Sequence, residues 1–234
     1  VNVGMFELSG AERDALFLSL KVACTAVAGA LPFALAVALL LARGRFLGQS
    51  LLAGLFDLPL VLPPVVVGYL LLLALGTRAP VGAFLLHTFG LRFAFSWTGA
   101  ALASGLITFP FQVRAMRLSI AGLDRGLAEA AETLGAGPLD RFFNLMLPLA
   151  LPGIVAGAVT AFAASLGEFG AIITFVSNIP GETQTLPLAI YSAIQSAGGE
   201  TEAARLSLLS IALALVGVTL AEFADRRVRA LVGR

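Results

Sequence analysis

The chain has 234 residues, 59% hydrophobic and 12% charged, with a formal net charge of +1. A soluble domain carries about 25% charged residues, so a mean hydropathy of +0.96 points to lipid as the main solvent, and the near-neutral balance gives no basis for binding nucleic acid. A single cysteine, Cys24, excludes an internal disulfide, and the lone histidine, His87, has no second His or Cys to complete a metal site.

About 20 apolar residues cross a bilayer as a helix. Five segments satisfy that length, at 16–42, 51–76, 95–115, 148–175 and 204–224. Their apolar runs are continuous rather than alternating, which predicts helices and not barrel strands. The first carries Lys21 at its outer end, where the ammonium can snorkel, and its apolar run is too long for a signal-peptide core, so it reads as an uncleaved anchor. Cys24 lies inside it and reads as a small buried hydrophobe. The second span holds Asp57 near its start and then Pro59, Pro63 and Pro64. Each proline removes a backbone donor. This stretch either lines a pathway, where irregular backbone survives at membrane depth, or is a kink that lets helices pack. His87 falls in a hydrophilic connection, and Trp97, at the outer end of the third span, suits the aromatic belt. The connection from 177 to 205 is too long for a plain turn, and 185–195 is expected to form a short helix along the outer surface.

Arginine and lysine set the orientation. With the N-terminus outside, Arg43, Arg45, Arg114, Arg117, Arg125, Arg141, Arg226, Arg227, Arg229 and Arg234 fall inside, against Arg13, Lys21, Arg78, Arg92 and Arg205 outside. Ten against five favours N-out and C-in.

The inner connection at 116–147 is patterned. Leu123, Leu127, Ala130 and Leu134 recur at helical spacing, with Asp124, Glu129 and Glu132 off that stripe. Gly135 and Gly137 interrupt the helix, and Pro138 can open a second one in which Leu139, Phe142, Phe143 and Met146 share a face. Two short amphipathic helices of this kind suit docking onto a cytoplasmic partner or lying on the membrane surface.

This loop contains Glu129-Ala130-Ala131, three residues, Gly135, nine residues, then Leu145-Met146-Leu147-Pro148. It resembles the EAA motif of the permeases of ABC importers, departing only in Leu145 where that family usually has isoleucine. The resemblance covers about residues 14–225. It implies an all-α, polytopic type I ABC importer permease fold, with residues 1–234 as one transmembrane domain in the inner membrane. It also implies that the first loop helix couples to an ATPase subunit through Glu129, Ala130, Ala131, Gly135, Leu145, Leu147 and Pro148. Small Ala130 and Ala131 permit close approach, Gly135 permits the sharp turn, and Glu129 offers an acceptor. The segments at 58–69 and 179–191 are similar to the molybdate and tungstate branch, whereas 165–171 is shared with sulfate and thiosulfate permeases. The implied partners are a second copy of the chain, an ABC ATPase dimer in the cytoplasm, an extracytoplasmic molybdate-binding protein and the lipid bilayer. ATP-Mg would sit in the ATPase partner, and no cofactor on this chain.

Lysine and arginine are missing from the depth of the spans, which fits a conduit better than a tight anion pocket. A path for an oxyanion would use hydroxyls, amides and the N-termini of broken helices. Thr108, Gln112, Thr160, Ser165 and the stretch Pro59, Pro63, Pro64 are the candidates, and each also suits simple helix packing. Glu168 would repel a dianion, so it reads as a structural or gating carboxylate. A sulfate or thiosulfate permease is the alternative in substrate. A secondary transporter or channel would leave the patterned loop without a role, and a membrane enzyme lacks a nucleophile–base pair, a metal cluster or a phosphate loop.

Overall fold

A computed structural model describes residues 8–43 and 46–232. Among them every regular element is helical. In chain order these are α1 (Gly10–Arg43), α2 (Gln49–Val61), α3 (Pro64–Leu75), α4 (Pro80–Phe89), α5 (Trp97–Ala121) and α6 (Arg125–Thr133). There follow α7 (Pro138–Asp140), a π-helical stretch (Arg141–Met146), α8 (Leu147–Leu166), α9 (Gly170–Val176), α10 (Leu186–Gln195) and α11 (Glu200–Val232). Three helical runs are long and apolar enough to cross a membrane, namely Gly10–Ala42, Pro138–Leu166 and Glu200–Thr219. Of the arginines assigned to the inner side, Arg45 and Arg234 lie outside the described residues, as do the side chains of Arg43, Arg125 and Arg229.

Helix α5 is the mast of the fold. It packs on α1 along one side and α8 along the other, and it runs through both larger apolar clusters. One cluster gathers Val22, Ala100, Ile107, Ile172, Phe175 and Leu188. The other gathers Ala34, Ala38, Val113, Met116, Met146 and Ile154. Small residues make these approaches possible. Ala23, Ala34, Ala38 and Ala103 are fully buried, while Phe17 and Phe33 of α1 and Leu215 of α11 face outward. This is the arrangement expected in lipid, where bulky apolar side chains gain nothing by turning inward and close backbone packing does. α5 is less apolar than the three long runs because most of its residues face protein.

Several boundaries differ from those expected. The stretch 51–76 is not one helix. The helix is interrupted because Pro63 and Pro64 together deprive the chain of two donors and Leu62, preceding a proline, takes an extended ψ of 139°, and α2 and α3 then meet at 109°. The stretch 148–175 also breaks, between Leu166 and Gly170. α5 continues to Ala121, so the loop expected at 116–147 starts six residues later than 116. The second loop helix is not separate. It runs from Pro138 without interruption into α8, passing through the π turn just ahead of Pro148, which cannot donate to residue 144. His87 lies on the apolar helix α4 and not in a hydrophilic connection. Cys24 is exposed, on the outward side of α1, and not buried. The helix expected at 185–195 is present as α10.

Candidate functional site: the Glu-Ala-Ala loop and the paired helix breaks

The loop between α5 and α8 is built as a helix, a turn and the foot of a long apolar helix. Asp124 caps α6, its carboxylate accepting from the Gly126 N–H at 2.9 Å. The helix ends where Gly135 takes φ +86°, letting its own N–H reach the Glu132 carbonyl and the Ala136 N–H reach the Ala131 carbonyl. Across this turn Arg141 pairs with Glu132 at 2.5 Å and holds α6 against the root of α8. Leu123 packs onto the core, whereas Leu127 is half-exposed and Leu134 is 88% exposed. The four residues Leu139, Phe142, Phe143 and Met146 do not share one covered face. Phe142 and Met146 join the core cluster, and Leu139 and Phe143 stay outside. Glu129, Ala130 and Pro148 are exposed, and Ala131, Leu145 and Leu147 are half-buried. The loop therefore offers an uncovered apolar ridge beside an exposed carboxylate.

The second feature is the meeting of two helix breaks. α3 and α9 lie side by side in the same direction, so that their first residues touch. A β-carbon on Gly170 would sit 2.9 Å from Pro64 Cβ and 3.3 Å from the Val65 nitrogen. One on Gly68 would sit 2.6 Å from the Ala171 carbonyl oxygen. Glu168, 7% exposed, fills the gap at the second break, where its Oε1 accepts from the Ala171 N–H at 2.9 Å and caps α9. Pro63 and Pro64 thus stand beside the Glu168 break, whereas Pro59 lies inside α2, one turn earlier.

The remaining path candidates fall elsewhere. Thr108, Gln112 and Ser165 are buried, with Gln112 and Ser165 at the contact of α5 with α8. Ser165 shares a hydrogen bond with Ser104 at 2.5 Å, and the Thr108 hydroxyl donates to the Ser104 carbonyl at 2.9 Å. Thr160 is exposed and donates to the Ala156 carbonyl of its own helix at 2.9 Å.

Ion pairs between distant segments were not foreseen. Arg114 grips Asp57 with Nε and a terminal nitrogen, each at 2.9 Å, joining α5 to α2. Arg205 reaches Glu12, itself 1% exposed, at 2.6 Å and joins the start of α11 to the start of α1. Arg92 pairs with Glu182 at 2.6 Å, and Lys21 stands 3.6 Å from the centre of the Trp97 ring. Only the Glu12 site had a local signature. Ser9 and Glu12 form the reciprocal helix-start pattern of a serine followed three residues later by a glutamate, with Ser9 N–H donating to Glu12 at 2.7 Å.

Residues 30–230 match the family described as binding-protein-dependent transport system inner membrane component. The chain belongs to that family. Its relatives include the molybdenum transport system permease protein ModB of Escherichia coli K12, 54% identical over 227 residues that cover 97% of this chain and 99% of the relative. ModB of Haemophilus influenzae is 53% identical, covering 95% of this chain and 97% of the relative. Among solved structures, a bacterial alginate ABC transporter in complex with its pentasaccharide-bound periplasmic protein shares the fold, with a TM-score of 0.75 at 20% identity, covering 97% of this chain and 82% of that one. The family is one of membrane-embedded transport subunits, and this chain is such an inner membrane component.

Proposed function

We propose that this chain is the permease subunit of an ATP-driven importer, forming the translocation pathway for molybdate, or tungstate, handed over by an extracytoplasmic binding protein. The loop at 122–146 carries this reading: a capped helix with the Glu-Ala-Ala sequence, a left-handed turn at Gly135 and exposed leucines at Leu127 and Leu134 form a shaped projection, braced on the foot of α8 by Arg141 and Glu132. The substrate follows from relatives 54% identical that are named for molybdenum transport.

In this reading residues 1–234 form one domain with five crossings, N-out and C-in. The crossings are α1, the bent pair α2–α3, α5, the run from α7 to α8, and α11. The inner loop would insert into a groove of an ATPase subunit, with Glu129, Ala130, Ala131 and Gly135 at the contact and Leu145, Leu147 and Pro148 anchoring its return. Two copies of the chain would enclose the path, two ATPase subunits would bind and hydrolyse ATP-Mg, and this chain would hold no cofactor. The paired breaks at Pro63–Pro64 and Glu168–Gly170 would act as the hinge of a gate, with Pro59 shaping the approach. The polar side chains Thr108, Gln112, Thr160 and Ser165 then serve the bundle that carries the gate. ATP drives the switch only by favouring one conformation over the other.

The test is reconstitution. The chain co-expressed with its ATPase is purified, placed in proteoliposomes and supplied with the loaded binding protein. ATP-dependent accumulation of molybdate inside the vesicles supports the reading. An ATPase that does not co-purify, or accumulation independent of ATP, rules it out in favour of a secondary transporter or channel.

A further inference from the structure

We propose that Gln112 is a positioning residue of the transport cycle: its buried amide, unpartnered among the described residues here, finds hydrogen-bond partners in a second packing of α5 against α8. The inference rests on the importer reading above, since it requires a protein that alternates between two packings.

The two helices run antiparallel in a single register. Ser104 stands opposite Ser165, Gln112 opposite Gly157, and Ser119 opposite Ala150, whose carbonyl accepts from the Ser119 hydroxyl at 3.5 Å. The α8 side of the seam repeats every fourth residue as Gly153, Gly157, Ala161 and Ser165, all buried. Contact is close enough that a β-carbon on Gly157 would lie 3.1 Å from Gln112 Cα. Hydrogen bonds fasten the seam near its two ends, and the Thr108 hydroxyl is satisfied by its own helix. Gln112, 0% exposed, differs: neither its amide nitrogen nor its amide oxygen has a partner among the described residues.

Gly157 is at the middle of a helix that is 20 residues long. That point is about 14 Å from the nearer end of the continuous Pro138–Leu166 run at 1.5 Å per residue, and Gln112 opposite it is fully buried. An amide without partners is costly there, and leucine or methionine would occupy similar space without that cost. The amide is explained if another stage of the cycle uses it. The seam itself permits this, because glycine and alanine present no interlocking side chains and leave the α8 carbonyls unshielded, each with a second lone pair to offer. A helix shift of about 1–2 Å, the size seen in packed bundles that switch, would carry Nε2 toward a new carbonyl. Ser104–Ser165 and Ser119–Ala150 then mark the bonds that such a shift exchanges.

The experiment compares Gln112→Leu and Gln112→Met with the unaltered chain in the assembled complex, reading the thermal midpoint and ATP-driven molybdate accumulation in proteoliposomes. The proposal expects the midpoint to stay level or rise while accumulation falls about tenfold, within the usual range of conformational coupling. A merely structural glutamine would lower both together. Accumulation near that of the unaltered complex overturns the proposal, whatever the midpoint does. A lowered midpoint, or failure of both variants to assemble, also overturns it, because the amide would then be bonded in this packing. If the unaltered complex itself accumulates no molybdate, the importer reading fails separately, and the thermal midpoint still tests whether the amide is idle here.

Discussion

A methyl group at position 170 would meet Pro64 Cβ at 2.9 Å, whereas one at position 29 meets nothing within 4 Å. Gly170→Ala should therefore lower the thermal midpoint of the purified protein, by the equivalent of about 1–3 kcal/mol for overpacking. Gly29→Ala should leave it level or raise it, by up to about 1 kcal/mol from helix propensity. Equal effects at the two sites would deny the close α3–α9 contact. Glu168 makes a similar distinction between chemistry and charge. Glutamine retains the oxygen that accepts from the Ala171 N–H, and leucine does not. Glu168→Gln should fold like the parent, and Glu168→Leu should lose about 0.5–2 kcal/mol, the worth of a cap. A gating carboxylate predicts reduced uptake in the glutamine variant, and undiminished uptake there would remove Glu168 from the gate. At this scale the sequence marks Glu168 as unusual because a carboxylate interrupts an apolar run. It does not reveal that the partner is three residues away, nor that Asp57 and Arg114 meet across 57 positions.

At the scale of the element, the inner loop is the part most open to reading in advance, because its motif, its glycine turn and its stripe are all local. The structure adds what local pattern cannot: the turn is braced by Arg141 on Glu132, and the second helix is the foot of α8. A thrust on α6 would thus reach the span through a continuous helix. Gly135 has open space around it but a φ of +86°, a region that L side chains adopt with difficulty. Gly135→Val should bend the loop out of shape without disturbing the bundle, leaving expression and midpoint close to the parent while ATP hydrolysis continues without uptake. Parental uptake in that variant would show that the turn does not couple. The breaks were less legible. Consecutive prolines announce an interruption near residue 63 but not a bend of 109°, which depends on α3 finding α9. The break after Leu166 carries only a Gly-Glu signal that an intact helix end would share.

Across the whole molecule, composition and apolar run length identify a membrane-embedded helical protein, yet they do not identify its interior. In water a hydrophobic side chain is a candidate for the core. In lipid both faces of a span are apolar, so Cys24 and Phe33 can be exposed while Ala34, Ser104 and Thr108 are buried. The better sign is smallness at four-residue spacing, as along Gly153, Gly157, Ala161 and Ser165, and it locates the α5–α8 seam. As proposed, this bundle imports molybdate under the control of the loop at Gly135. The most direct measurement is cell-associated molybdenum in a strain lacking its own importer, expressing this chain with its ATPase and binding protein, supplied with trace molybdate and a large excess of sulfate. Accumulation should resist sulfate and disappear in Gly135→Val. Accumulation abolished by sulfate, or untouched by the Gly135 change, would contradict that proposal.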